Sequence, residues 1–360
     1  MSTDRKVLIV STVGLIYDGI TSVIIAYLDA MNRSGLKIYV AGTIEVKDAF
    51  RKRINDLGCT VVDFPNRKTK TGSYAIALAK FIRDNRIEVI HAHGNSGTLA
   101  IEMTAAWLGG CKKRIAHSHN TRCSQIITDG LLRPLFYLLY TDGLACGNEA
   151  GKWLFGNRKY EILPNGRNVE KYRFNSSIRD KFRRKLGIKD EIVIGHVGGF
   201  FEQKNHRFLV EIYREIKMLR PNTKLFMFGD GPIKKYIEQL CKNIDVIFAG
   251  TIDNISDILN AMDGMLLPSL FEGTPLVSIE WQINGLPCIL ADTVTKDCKL
   301  TDSVLFMSLK CSAGEWAENL ITMIESHDRM SCAESAYETI SNSSFNIKSN
   351  SEKLRKLYND

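Results

Sequence analysis

The sequence lacks any apolar run near the roughly 18 residues that a membrane-spanning helix needs. It also lacks a Cys-x-x-Cys pair, and its 9 cysteines are scattered, which favours reduced thiols over a disulfide framework or a zinc site. The first apolar stretch, residues 6–13, is too short for a signal peptide and is typical of a buried strand. We therefore expect a cytoplasmic protein with no metal site and no cofactor.

Net charge is absent from the second half of the chain and concentrated in the first. Residues 1–170 hold 23 Lys and Arg against 15 Asp and Glu, a net charge of +8, whereas residues 171–360 hold 25 of each sign. A basic first half predicts an anionic partner such as a membrane surface, although solvated helix faces would give the same count. The basic clusters have no interleaved aromatic residues, so we do not expect nucleic acid as the partner.

Short β-branched runs alternate with longer amphipathic stretches, which predicts βαβ units and parallel sheets. A polar, basic stretch at 167–190 interrupts this alternation. We predict two Rossmann-like α/β domains, 1–170 and 171–345, and a closing C-terminal helix at 346–360. Because ligands of such sheets bind beyond the carboxyl ends of the strands, a cleft between two facing domains is the expected site. The predicted strands are 5–11, 36–42, 59–63, 87–91, 113–117, 142–146, 159–163, 192–197, 224–228, 245–249, 263–267 and 287–291.

Two carboxylates eight positions apart, Glu272 and Glu280, flank a predicted helix start. Thr274 suits the N-cap and Pro275 the first helical position, so the next backbone N–H groups point out of the helix as an anion site. An anion site between carboxylates that bind hydroxyl groups fits a nucleotide-sugar, with its diphosphate at the helix terminus. Taken alone, the segment also fits an ordinary amphipathic helix with two surface glutamates.

Three other loops follow predicted strands of the second half and contain glycine. Each such turn is weak evidence singly, because a βα turn often needs glycine for backbone reasons. Lys204, in the first of them, can bind phosphate as a point charge. The loops are Gly198-Gly199-Phe200-Phe201-Glu202-Gln203-Lys204, Gly229-Asp230-Gly231-Pro232 and Gly250-Thr251.

The ordered set of motifs resembles the family 4 glycosyltransferases of the GT-B fold, and among them those that build bacterial capsular or exopolysaccharide. The resemblance covers nearly the whole chain. It rests on the three loops above, on the Glu-x7-Glu pair with Pro268-Ser269 before it, and on Ala116-His117-Ser118-His119-Asn120, Ala145-Cys146-Gly147-Asn148-Glu149-Ala150-Gly151 and Leu163-Pro164-Asn165-Gly166 in the first half.

The resemblance implies roles for individual residues. Glu272 would hold hydroxyls of the transferred sugar, Glu280 would bind the ribose, and Lys204 would bind the diphosphate with nearby backbone N–H groups. His119 would lie near the donor sugar, and the loop at Gly19 would approach the diphosphate. The implied catalytic residues are Glu272, His119 and Lys204, and the implied substrate-binding residues are Gly19, Gly198, Gly199, Gly229, Asp230, Gly231, Thr251, Gly273, Thr274, Pro275, Leu276, Val277 and Glu280.

The resemblance further implies a retaining, metal-independent transfer of a hexose or N-acetylhexosamine. The donor would be a nucleotide-diphosphate sugar, most simply UDP-linked, and the acceptor a lipid-linked glycan at the inner membrane face. Such enzymes need no divalent metal because lysine and the helix dipole neutralise the leaving phosphate.

Two positions depart from the family pattern. Gly199 stands where the family usually places an arginine, which removes one cation from the departing diphosphate; Arg207 or Arg122 could replace it. The first-domain loop has one glycine, Gly19, where two are common. A nucleotide-sugar-binding protein with little or no catalysis is therefore the alternative function, and a nucleotide-sugar epimerase is a weaker one.

Two further patterns leave alternatives open. His91 and His93 end one strand and His117 and His119 the next, so a metal site competes with a role of His119 at the donor. The segment 130–140 is apolar almost all round, which predicts a fully buried helix, with contact to a membrane or lipid acceptor as the alternative.

Overall fold

The computed structural model of this chain describes residues 4–121, 123, 125–252 and 254–360. These residues divide into two compact units, one formed by 1–166 with 344–360 and the other by 167–343. We call them the first unit and the second unit. Each is built on its own sheet, and every strand pair in both sheets is parallel.

The first unit holds a seven-stranded sheet in the order β3-β2-β1-β4-β5-β6-β7. Its strands are β1 Arg5–Ser11, β2 Leu36–Gly42, β3 Thr60–Val62, β4 Val89–His93, β5 Lys113–Ser118, β6 Asp142–Ala145 and β7 Glu161–Ile162. Its helices are α1 Gly19–Ala30, α2 Asp48–Asp56, α3 Thr71–Asn85, α4 Ala100–Leu108, α5 Ile126–Leu139, α6 Asn148–Phe155 and the last helix of the chain, α15 Ile347–Asn359.

The second unit holds a six-stranded sheet in the order β10-β9-β8-β11-β12-β13. Its strands are β8 Ile192–Val197, β9 Thr223–Phe228, β10 Val246–Gly250, β11 Gly264–Leu267, β12 Cys288–Ala291 and β13 Val304–Met307. Its helices are α7 Val169–Tyr172, α8 Ser176–Lys185, α9 His206–Leu219, α10 Lys234–Leu240, α11 Ile255–Leu259, α12 Leu276–Ile283, α13 Ala313–Glu325 and α14 Arg329–Ser341.

Each of the twelve predicted strands overlaps an observed one. Most of these strands are short, buried apolar runs, which the sequence displays directly. The prediction missed β13, an edge strand of only four residues. The units divide after Gly166, four residues before the predicted boundary, and α15 belongs to the first unit. There the Asn350 amide donates to the Pro164 carbonyl at 2.9 Å.

The prediction of a fully buried helix at 130–140 is wrong. The segment lies in α5, where Phe136 and Leu139 are buried but Leu131 and Leu138 are 75% and 77% exposed. Apolar content all round a helix therefore did not require a buried environment. No helix within the described part of the chain is long and apolar enough to cross a membrane.

Candidate functional site

Both sheets reverse their strand order at one point, and ligands of such sheets bind at the carboxyl ends of the strands there. In the second unit the reversal lies between β8 and β11. The loops that follow these two strands are joined by hydrogen bonds. Leu270 N donates to Gln203 O at 2.8 Å, and Gln203 Nε2 donates to Phe271 O at 2.9 Å. These two loops contain seven of the sixteen residues that the resemblance implied at the site: Gly198, Gly199, Lys204, Glu272, Gly273, Thr274 and Pro275.

The loop after β9 needs glycine at two positions because the backbone of the loop after β8 packs directly against it. Gly229 has φ +133°, and a Cβ there would lie 2.1 Å from the Gly198 carbonyl oxygen. A Cβ at Gly231 would lie 2.5 Å from the Phe200 carbonyl oxygen. The two loops also exchange a hydrogen bond from Phe200 N to Asp230 O at 3.0 Å. Backbone packing alone therefore explains why positions 229 and 231 are glycine.

Gly199, the position where the family usually has arginine, faces an aromatic ring. A Cβ at Gly199 would lie 2.8 Å from Cε2 of Phe201, whose side chain is half exposed. The backbone at 199 has no left-handed φ, so the obstacle to a side chain is the Phe201 ring. Of the two substitute cations, Arg207 lies 4.6 Å over the ring of Tyr236, and Arg122 lies outside the described residues.

Lys204 and Glu272 form an ion pair with each other. Their side chains are 18% and 11% exposed, so the pair is largely withdrawn from water. Ser269 also donates its hydroxyl to Glu272 Oε1 at 3.0 Å. The pair therefore places a cation and a carboxylate side by side, held by the loops after β8 and β11. A diphosphate would replace Glu272 as the partner of Lys204, and sugar hydroxyls would replace Lys204 as the partners of Glu272.

The start of α12 differs from the prediction. The N-cap is Pro275 and the first helical residue is Leu276, so Thr274 as N-cap and Pro275 as first helical residue are wrong. Proline disfavours helical backbone in the residue before it, so Thr274 lies outside the helix. No side chain caps this helix, and the hydrogen bonds of the described residues include none from the N–H groups of Leu276 and Val277. Two donors are thus open at the helix terminus.

Glu280 lies in the interior of the second unit. Arg167 Nε donates to its Oε1 at 2.6 Å, and the two side chains are only 9% and 7% exposed. Tyr172 is beside the carboxylate, and burial with Glu280 nearby raises the pKa of Tyr172. Sequence reasoning missed both partners, although Arg167 directly follows the Leu-Pro-Asn-Gly motif. Each of the two carboxylates of the Glu-x7-Glu pair has its own cation.

Three other predicted residues have little protein around them. A Cβ at Gly19 or Gly273 would meet no atom within 4 Å, and the Thr251 side chain is exposed. Gly19 is the first residue of α1, which Asp18 caps by accepting from Thr21 N at 2.8 Å. The fold itself therefore leaves these positions open to a ligand.

His119 belongs to a row of stacked histidines in the first unit. Its Nε2 is 2.8 Å from Nδ1 of His93, and its backbone N–H donates to Asn95 Oδ1 at 2.9 Å. In the same row, His91 Nε2 is 3.1 Å from His117 Nδ1. Burial lowers the pKa of His119 to about 4 and holds the pKa values of the other three well below the usual range. Neutral imidazoles are therefore the forms present near pH 7.

The same row could also hold a metal ion. One ligand atom each from His91, His93 and His117 lies within 4.8 Å of the others, and all three residues are buried. To bind four-coordinate zinc, each of these three nitrogen atoms would have to lie about 2.0–2.1 Å from the metal. The hydrogen bond between His91 Nδ1 and Tyr358 Oη, 2.7 Å long, would orient the His91 ring both for a metal and for its histidine neighbour.

Sequence comparison identifies relatives of the chain. Residues 191–326 match the family model described as Glycosyl transferases group 1. The chain is 34% identical over 254 residues to the putative glycosyltransferase EpsF of Bacillus subtilis (strain 168), covering 64% of each protein. It is 28% identical over 242 residues to UDP-Gal:alpha-D-GlcNAc-diphosphoundecaprenol alpha-1,3-galactosyltransferase of Escherichia coli, covering 62% of each. The matches thus span less than two thirds of these relatives' lengths.

Solved structures share the fold over nearly the whole chain. HepE of Anabaena, crystallised with UDP and glucose, has a TM-score of 0.80 at 16% identity and covers 98% of both chains. WaaG, a glycosyltransferase involved in lipopolysaccharide biosynthesis, has a TM-score of 0.73 at 15% identity and covers 98% of this chain and 99% of its own. These matches confirm the predicted α/β fold class with two Rossmann-like domains of the GT-B type.

Proposed function

We propose that this chain, whose residues 191–326 are a glycosyl transferases group 1 domain of the GT4 type, is a glycosyltransferase of polysaccharide biosynthesis. The observation that carries the proposal is the Lys204–Glu272 ion pair at the strand-order reversal of the second unit. A cation and a hydroxyl-binding carboxylate at that point fit the diphosphate and the sugar of one donor. The open N–H groups of Leu276 and Val277 add the donors of a helix terminus for the diphosphate.

The proposed donor is a UDP-linked hexose or N-acetylhexosamine, and the proposed acceptor is a lipid-linked glycan at the inner membrane face. The Escherichia coli relative supports both, since its name gives UDP-Gal as donor and a diphosphoundecaprenol-linked sugar as acceptor. HepE supports the nucleotide, because it was crystallised with UDP and with UDP-glucose. Glu280 receives the ribose hydroxyls in this proposal, with Arg167 holding the carboxylate in place.

The proposed transfer retains the anomeric configuration and needs no divalent metal. Lys204 and the terminus of α12 supply positive potential for the leaving diphosphate in place of a metal ion. His119 lies near the donor sugar in this proposal, as a neutral imidazole that can donate or accept a hydrogen bond. Transfer measured by mass spectrometry should therefore persist in excess EDTA, with the anomer of the product read by NMR.

The test of the function is a transfer assay with a UDP-sugar panel and a membrane lipid extract as acceptor. We expect product with the native chain and a loss of 100-fold or more in turnover with Glu272→Ala, since removing one group that stabilises the transition state costs roughly that factor. Glu211→Ala, an exposed glutamate on α9, is the matched control and should transfer normally. Unchanged turnover with Glu272→Ala for every accepted donor would contradict the proposal.

A nucleotide-sugar-binding protein without catalysis is the second candidate function, and Gly199 favours it. The ring of Phe201 lies where a side chain at 199 would begin, so the missing arginine cannot be supplied without moving that ring. Calorimetry that finds UDP-sugar binding without transfer or hydrolysis would favour this candidate. In that case Gly199→Arg combined with Phe201→Ala should create turnover, whereas Phe201→Ala alone should not.

A further inference from the structure

The Leu-Pro-Asn-Gly segment, residues 163–166, lies beside the histidine row of the first unit. Its backbone is held by two helices that meet at one carbonyl group. The Tyr27 hydroxyl of α1 donates to the Pro164 carbonyl at 3.0 Å, and the Asn350 amide of α15 donates to the same oxygen at 2.9 Å. The segment therefore has a fixed place in the first unit, and so do the oxygen atoms that it presents to the histidines.

The first of these oxygens belongs to Leu163 and meets His117. Burial lowers the pKa of His117 well below its usual range, and a hydrogen bond with the Leu163 backbone opposes this effect. The Leu163 N–H already donates to the Ala145 carbonyl at 2.8 Å, so the group that meets the ring is the Leu163 carbonyl. Nδ1 of His117 lies 3.1 Å from His91, which leaves Nε2, a buried atom with no other partner among the described residues, to face that carbonyl. Because a carbonyl oxygen can only accept, Nε2 of His117 carries the proton.

The proton on His117 fixes the hydrogen bonds of its neighbours. A neutral imidazole has one donor and one acceptor nitrogen, so Nδ1 of His117 accepts, and Nε2 of His91 donates to it at 3.1 Å. Nδ1 of His91 then accepts from the hydroxyl of Tyr358 at 2.7 Å. Tyr358 is fully buried in α15. Donation therefore runs in one direction, from Tyr358 through two histidines to the Leu163 carbonyl.

The second oxygen belongs to Asn165 and meets His119. Burial lowers the pKa of His119 to about 4, and a hydrogen bond with the Asn165 side chain opposes this lowering. Nδ1 of His119 and Oδ1 of Asn165 are both buried, and neither has another partner among the residues that the structure describes. The amide oxygen can only accept, so this contact needs the proton of His119 on Nδ1. Nε2 of His119 then accepts from Nδ1 of His93, which is 2.8 Å away.

We infer that residues 163–166 fix the tautomers of the histidine row and that Asn165 is the positioning residue of His119. With its proton on Nδ1 and its Nε2 occupied by His93, the His119 ring can offer a ligand a hydrogen bond only as a donor, from Nδ1. A hydroxyl or phosphate oxygen of the ligand would share that N–H with Asn165 or replace Asn165 as its acceptor. The inference deepens the proposed role of His119 and rests on the proposed function only for the identity of the ligand.

The test is NMR spectroscopy of the full chain with 15N-labelled histidines. The protein is treated with EDTA, so that no metal ion occupies the row, and no substrate is present. The 15N chemical shifts show which nitrogen of each ring carries the proton, and replacing each histidine in turn by glutamine assigns the signals. At neutral pH we expect the proton on Nδ1 of His93 and His119, and on Nε2 of His91 and His117.

Asn165→Ala removes the acceptor of His119. The proton of His119 should then move to Nε2, from where it can donate to His93. Asn165→Asp keeps an acceptor oxygen in the same place, and we expect it to keep a proton on Nδ1. The matched control is Asn342→Ala, at an exposed asparagine of the second unit, which should leave all four tautomers unchanged. If Asn165 were only structural, Asn165→Ala would lower the stability without moving the proton.

A native chain with the proton of His119 on Nε2 would overturn the inference, whether or not any variant folds. An Asn165→Ala variant that is folded by circular dichroism and keeps the proton on Nδ1 would overturn it as well. In the transfer assay, Asn165→Ala should lower turnover about 2- to 12-fold, the contribution of one neutral hydrogen bond, and leave the Kd for UDP unchanged. Native turnover by this variant would contradict the positioning role. Because the NMR spectra need no substrate, failure of the proposed function is recognised separately.

Discussion

Breaking the buried Arg167–Glu280 pair should destabilise the second unit strongly. Arg167→Met leaves the Glu280 carboxylate in a site where its side chain is 7% exposed and removes the guanidinium 2.6 Å away. Removing one partner of a buried ion pair costs about 3–5 kcal/mol, because the remaining charge stays out of water. For a unit of this size, that loss lowers the melting temperature by about 6–20 °C.

Fluorescence-monitored unfolding can measure this, since Trp281 and Trp316 are fully buried in the second unit. The matched control is Arg220→Met, which breaks the Arg220–Glu325 pair, whose side chains are 46% and 48% exposed, and should cost under about 1 kcal/mol. The double variant Arg167→Met with Glu280→Leu should regain most of the loss, because it leaves no unpaired charge.

A buried pair of this importance is refuted if Arg167→Met lowers the free energy of unfolding by no more than Arg220→Met does. It is also refuted if the double variant is as unstable as the sum of its two single variants, since the coupling would then be absent. If the double variant is more stable than that sum predicts, the difference measures the coupling energy between Arg167 and Glu280. Glu280→Leu alone completes the cycle and should cost as much as Arg167→Met.

Three other outcomes are expected. Lys204→Gln should raise the Kd for UDP about 10-fold or more without changing the Kd for uridine, because a hydrogen bond to a charged group contributes about 1.5–3 kcal/mol. Equal losses of affinity for both ligands in calorimetry would contradict this. Gly229→Ala should lower the free energy of unfolding by about 2–6 kcal/mol through backbone strain and overlap with Gly198. The control Gly110→Ala should lower it much less, because Gly110 also has a positive φ but a Cβ there would meet no atom within 4 Å. Burial holds the pKa of His206 at about 2, below its ordinary 6.5, so below pH 6.5 the unfolded chain binds more protons. The free energy of unfolding should therefore be level above about pH 7 and fall as the pH drops, by up to about 1.4 kcal/mol per pH unit for this group, and His206→Gln should flatten that slope in urea titrations.

Much of the fold could be predicted from the sequence because its signals are local. A buried parallel strand is a short β-branched run, and the helix between two strands carries its own period, so strand positions and the α/β class follow without knowledge of contacts. The resemblance to family 4 glycosyltransferases, carried by ordered motifs, was confirmed by the glycosyl transferases group 1 match. The edge strand β13 was missed; it is as short as β11 and β12, but unlike them it is only partly buried, so its signal in the sequence is weaker.

The site could be located from the sequence, but the partners of its residues could not. Lys204 and Glu272 are 68 positions apart, and Arg167 and Glu280 are 113 apart. No local pattern links such residues, since only tertiary packing brings them together. The assigned roles at the donor therefore stay predictions, and the observed ion pairs are what the experiments above address.

The sequence by itself determined the two-sheet α/β architecture, the Glu-x7-Glu pair at a helix start and the surplus of positive charge in the first half. Only the tertiary structure decided which cation each glutamate has, why Gly229 admits no side chain, and which side of α5 is exposed. The physical reason is that periodicity and composition act within one element, whereas partners, overlaps and exposure depend on the elements packed around it. The apolar α5 helix shows this most directly, because its composition predicted burial and its packing left one face open.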